Sequence, residues 1–111
     1  MLYSKNTIGG WILKMEVGDI NNMPSISMFY GIIIYIYQSD SGKHHMPHIH
    51  AMYSGEEAVF SIEDGEMIKG KIPPKQANLV RAWIAIHQEE LMANWELAVS
   101  EKEVYKIDPL K

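Results

Sequence analysis

The chemistry of this chain is concentrated in Lys43-His44-His45-Met46-Pro47-His48-Ile49-His50. Four of its five histidines fall within seven positions, where a polar loop runs into a predicted strand. Imidazole titrates near neutral pH and is a common metal ligand, so these residues are candidates for acid/base work or for holding a metal. His48 and His50 alternate along the predicted strand. Both therefore point the same way, with Cβ atoms about 7 Å apart. That spacing can put two imidazoles on one divalent metal. Glu57 across a hairpin, or His44 or His45 folding back, would supply a third ligand. The plain alternative is structural: both rings hydrogen-bond carboxylates or backbone on a wet face, or meet another subunit.

Other residues are weighed the same way. Arg81 offers a planar fork for an anion or phosphate and joins His48 and His50 as a candidate catalytic group. Its alternative is an ion pair with Glu57 or Asp64. His87 falls in an apolar helical stripe, where a lone histidine is more often a satisfied core residue than a ligand. With Glu57 and Tyr30 it is a candidate binding residue. If the helix packs on the face carrying Ile49 and Ala51, His87 lies across the sheet from His48 and His50, and a three-histidine site fails. A one-residue slip of register would bring all three together. Tyr30, Tyr35 and Tyr37 could stack bases, but a buried or dimer-facing strand explains them more simply. Trp83 and Trp95 read as core or interface. No phosphate-binding loop or nucleophile elbow is present. The adjacent pairs Glu56-Glu57 and Glu89-Glu90 diverge in any regular element and are no natural acid/base couple.

Composition narrows the classes. The chain has 111 residues, enough for one domain with a real core. It has no cysteine, which excludes disulfides, thiolate metal sites and cysteine nucleophiles, and suits a reducing cytoplasm. The net charge of −4 argues against a strong nonspecific grip on nucleic acid. Lys69, Lys71, Lys75 and Arg81 form the only loose basic cluster. The longest apolar run, Met28 to Tyr37, is about half the ~20 residues of a membrane-spanning helix. Residues 1–22 lack the pattern of a signal peptide. The chain changes character at Met23-Pro24, so two readings stand for residues 1–22. They are an extension upstream of a start at Met23, or they hold an ordinary strand around Trp11-Ile12-Leu13.

The elements follow from period and punctuation. Residues 25–37 read as one long strand, with Ile26, Met28, Tyr30, Ile32, Ile34 and Ile36 on one face and Phe29, Ile33, Tyr35 and Tyr37 on the other. Residues 38–47 are a polar loop. Residues 48–53 and 56–62 form a hairpin about Ser54-Gly55, which pairs Tyr53 with Glu56, Ala51 with Ala58 and Ile49 with Phe60. Ile49, Ala51, Ala58, Phe60 and Ile62 then share the core face, and His48, His50 and Met52 take the other. A second turn at Glu63-Asp64-Gly65 pairs Phe60 with Ile68 and Ala58 with Gly70, which puts Ile68 and Ile72 on the core face. Pro73-Pro74 ends the sheet and opens a helix predicted over 74–99. Its apolar stripe runs through Val80, Ile84, His87, Leu91, Trp95 and Ala98. A break near Gln88 to Glu90 is an alternative that no Gly or Pro signals. Val104 to Ile107 read as a last short strand.

Three segments resemble a known family. They are Met23-Pro24-Ser25-Ile26-Ser27-Met28-Phe29-Tyr30-Gly31-Ile32, then Pro47-His48-Ile49-His50-Ala51-Met52-Tyr53, then Val80-Arg81-Ala82-Trp83 through His87 to Glu90-Leu91 and Asn94-Trp95. Together they resemble a bacterial small-protein family known as a domain of unknown function, numbered four-one-six-zero in that series. The resemblance covers about residues 23–98. It implies a small protein whose gene lies beside that of another small unknown domain, in a toxin–antitoxin-like arrangement. His44 and His45 are not part of the family pattern.

The expectation is an α+β domain over residues 23–111, with residues 1–22 outside it. An antiparallel meander of three to four strands carries one long C-terminal helix on one face, and a short last strand follows. The doubly apolar first strand suggests a homodimer. Two functions are carried forward, and whether the chain is an enzyme stays open between them. One is a cytoplasmic component of a toxin–antitoxin-like pair that binds a protein partner or RNA. The other is a small hydrolase or nuclease with His48 and His50 as general acid/base or as ligands of a divalent metal.

Overall fold

The computed structural model describes residues 23–38 and 46–111. Five strands come first: β1 (Ser25–Phe29), β2 (Ile32–Tyr35), β3 (His48–Tyr53), β4 (Glu56–Ser61) and β5 (Met67–Gly70). Two helices follow, α1 (Pro74–Ile86) and α2 (Gln88–Val99). The strands form one antiparallel sheet in the order β1-β2-β3-β4-β5. The class is α+β, with five strands rather than three or four and two helices rather than one. The readings of residues 1–22, and His44 and His45, lie outside the described residues.

The fifth strand comes from dividing the expected strand over 25–37. Tyr30 and Gly31 both hold positive φ, 51° and 78°, as in the two-residue turn that matches strand twist. Tyrosine is a poor occupant of that position, so Gly31 alone signalled the turn. A bulge then inserts Ile26 between the pairs Ser25–Tyr35 and Ser27–Ile34. The turn and the bulge re-sort the faces. Ile26, Phe29, Ile32, Ile34 and Ile36 enter the core, while Met28 and Tyr30 are exposed.

The β3–β4 hairpin has the predicted register, Tyr53–Glu56 through His48–Ser61, closed by Ser54-Gly55 at φ 53° and 82°. The β4–β5 register agrees at Ala58–Gly70 and then slips by one, because Phe60 faces Met67. Ile68 is the extra residue of this bulge. It is 43% exposed instead of joining the core, whereas Ile72 is buried as expected. The connection from Ser61 to Glu66 causes the slip. Ser61 N–H donates to the Glu66 carbonyl, Gly65 N–H to that of Ser61, and Glu66 N–H to Asp64 Oδ1.

Pro74 opens α1, whose first turn needs no donor from it. The helices share a core with Ile49, Ala51, Ala58 and Phe60, to which they contribute Ala77, Val80, Trp83, Ile84, Leu91 and Ala98, while Trp95 joins this core and also meets the His48 ring. Trp83 is central, with its ring 5.3 Å from that of Phe29. The helix breaks at His87 (φ −111°, ψ 30°) rather than within 88–90. A tertiary anchor accounts for a break without Gly or Pro: the Gln88 side-chain amide donates to the backbone carbonyls of Ile62 and Glu63. Glu89 and Glu90 in the first turn of α2 suit its dipole.

Residues 104–107 form no strand. They run as an extended strap with one ladder-like bond, Ile107 N–H to the Ile26 carbonyl. Side chains hold the rest. Asn94 donates to the Tyr105 carbonyl and accepts from its N–H, Trp83 Nε1 donates to the Asp108 carbonyl, and the Lys106 ammonium donates to Ser25. Among the described residues no helix is long and apolar enough to cross a membrane.

Candidate functional site

His48 and His50 emerge on the sheet face opposite Ile49 and Ala51, because side chains alternate along β3. Both are buried, at 1% and 7% exposure. A wet face with two open imidazoles is therefore not what the fold builds. The His48 ring lies edge-on to that of His50 at 5.2 Å and against the Trp95 ring at 4.9 Å. Tyr37 meets His50 edge-on at 4.9 Å. Four rings, Tyr37, His50, His48 and Trp95, thus run in contact from the end of β2 to α2.

Each imidazole also has a polar tie. Nδ1 of His48 lies 2.8 Å from the Met46 carbonyl oxygen. A carbonyl only accepts, so this Nδ1 carries the proton. Nδ1 of His50 lies 2.8 Å from Oε2 of Glu57, whose side chain is 42% exposed. The two residues are diagonal neighbours, since His50 faces Val59 and Met52 faces Glu57. Glu57 is therefore a carboxylate that holds the His50 imidazole. Among the described residues no group of three His, Cys, Asp or Glu side chains has metal-binding geometry.

The other candidates lie elsewhere. His87 caps the end of α1, lies tilted against the Trp83 ring at 5.5 Å and bonds Oε1 of Glu90 through Nδ1 at 2.5 Å. It is a partly buried helix-junction residue rather than a member of a three-histidine site. Arg81 pairs with neither Glu57 nor Asp64. Its guanidinium donates to Asn78 Oδ1, sits over the Phe60 ring at 5.9 Å, and its stem packs on Gly65. Tyr30 stands at the tip of the β1–β2 turn, 59% exposed and distant in the sheet from the row that holds His50. Of the candidates among the described residues, only His48, His50 and Glu57 are brought together.

Three residues contact the histidine pair without the sequence predicting it: Tyr37, Trp95 and Met46. The sequence reads Tyr37 as a strand aromatic, buried, dimer-facing or base-stacking, and Trp95 as core or interface, and no local spacing ties either to His48 or His50. Only the tertiary path of α2 and the strand ends does so. The chemistry available is that of a carboxylate–imidazole couple embedded in an aromatic cluster. The carboxylate fixes ring orientation and stabilises a positive ring if one forms.

A family model described as Domain of unknown function (DUF4160) matches residues 31–96, more than half of the chain. The match spans β2 through most of α2 and includes His48, His50, Glu57, Arg81 and His87. The segment Met23–Tyr30 precedes it. No curated protein and no solved structure matches the chain.

Proposed function

The chain belongs to the family described as Domain of unknown function (DUF4160), and from its geometry we propose that it is the binding member of a toxin–antitoxin-like pair of small proteins, acting on a protein partner. The observation that carries this reading is the state of the histidine pair. Each ring is buried, tied at Nδ1 and packed against aromatic rings. Such groups hold a sheet face in one arrangement, and function then rests on the surface which that arrangement presents. The net charge of −4 fits a protein partner better than free RNA. The bacterial setting and the neighbouring partner gene belong to this proposal.

A second reading has one specific observation in its favour. A carboxylate on Nδ1 is how hydrolases orient an imidazole so that Nε2 serves as the base. Under that reading Glu57 positions His50, and His50 is the general base of a small hydrolase or nuclease.

Growth of a bacterial host after induced expression separates the two. The comparison is wild type against His48→Ala/His50→Ala, with the fold of both checked by circular dichroism. The binding reading expects the same growth curve from both. Arrest by wild type, abolished in the folded double variant, would transfer the assignment to the hydrolase.

A further inference from the structure

One row of side chains crosses the sheet on the face that also carries the buried His48, His50 and Val59. Met28 on β1 faces Ile33 on β2, Ile33 faces Met52 on β3, and Met52 faces Glu57 on β4. Met28 is 57% exposed, and Ile33 and Met52 are half-buried. Lys69 on β5 stands opposite Val59, hence on the same face as Glu57 and diagonal to it. Lys69 is exposed and forms no ion pair among the described residues. At the other end of the row Tyr30 holds φ 51°. A bulky side chain in that region costs about 1–2 kcal/mol. Here the strained residue is an exposed aromatic ring on a tight turn two residues from Met28.

We propose that this row is a self-association face whose occupant is a second copy of the chain. A two-fold interface puts the same patch on both sides, so it needs apolar surface that packs on itself and charges of both signs. Met28, Ile33 and Met52 supply the first, since methionine repacks readily against its own kind. Glu57 and Lys69 supply the second, each Glu57 set against the other copy's Lys69, twice per dimer. A partner carrying one sign of charge would leave one of them unmatched. The sheet edges do not compete. β5 is short and bulged, carries Lys69 and is followed by Lys71, which blunts it, and the strap bonds β1 at Ile26. This proposal stands apart from the toxin–antitoxin reading and uses only purified protein.

Sedimentation velocity of the full chain, from about 1 to about 100 µM, tests it in the range where modest interfaces dissociate. The expected result is a concentration-dependent shift from the 12.7 kDa monomer to twice that mass. Met28→Lys and Lys69→Glu, both at exposed positions, each raise the midpoint concentration about tenfold or more. Glu57→Lys/Lys69→Glu recovers part of what either single reversal loses. Peroxide oxidation of Met28 and Met52, read by mass spectrometry, slows as the protein is concentrated. A wild type monomeric throughout overturns the proposal. So does a dimer that ignores these substitutions while Met28 oxidises at an unchanged rate, because it then uses another face. A monomer with Met28 already protected is covered by its own chain and overturns it as well.

Discussion

Nδ1 of His50 and Oε2 of Glu57 lie 2.8 Å apart, on adjacent strands and diagonal in register. One partner is buried and the other is 42% exposed. The two ends of this bond are therefore unequal. Removing the exposed end leaves room for water, whereas removing the buried end opens a hole between Tyr37 and His48. His50→Ala is expected to cost about 2–3 kcal/mol and Glu57→Ala about 1 kcal/mol. Urea denaturation of both variants checks this, and equal losses would mean that the pair is not a buried ring held from outside.

Tyr30 occupies a left-handed position that asparagine fills more easily. Tyr30→Asn should stabilise the isolated chain by about 0.5–1 kcal/mol, seen as a rise in thermal midpoint. The same substitution should weaken any association made through the β1–β2 turn. A fall in midpoint would show that the ring contributes to the chain's own fold.

Gly70 and Gly55 share nearly the same φ, 79° and 82°, yet differ in surroundings. A Cβ on Gly70 would clash with the Glu57 carbonyl oxygen, whereas one on Gly55 meets nothing within 4 Å. Gly55→Ala should cost about 1 kcal/mol for backbone strain alone. Gly70→Ala should cost about 2–4 kcal/mol, because β4 and β5 must separate locally. Paired denaturation curves decide it, and equal costs would place β5 further from β4 than the register requires.

The buried Asn94 side chain imitates a strand by bonding both the N–H and the C=O of Tyr105. Asn94→Ala removes both bonds, at about 2 kcal/mol. It should also release the strap, so that the Ile107 amide, which bonds the Ile26 carbonyl, exchanges hydrogen faster. Unchanged protection at Ile107 would mean that Trp83 and Lys106 hold the strap without Asn94.

The parts of this fold set by local chemistry were legible in the sequence, and those set by distant contacts were not. Ser54-Gly55 fixed the β3–β4 register because its two residues suit that turn, and His48 and His50 were placed on the right face. Tyr30-Gly31 hid a turn because tyrosine argues against one. Both bulges, at Ile26 and Ile68, shift faces without any sequence mark. The break at His87 depends on Gln88 reaching Ile62 and Glu63, some 25 residues earlier. At the site, the His50–Glu57 proximity followed from the hairpin. The packing of Trp95 on His48 did not, since it needs the path of α2.

On the proposed reading, the histidine pair organises a binding surface rather than a reaction. Calorimetric titration of the purified chain with the proposed partner protein, the product of a neighbouring gene, tests this most directly, with wild type and folded His50→Gln run in parallel. The predicted result is a complex from both, with Kd values agreeing within about threefold, under 1 kcal/mol. No binding by wild type, or a hydrolytic activity present in wild type and absent from the folded variant, would contradict it.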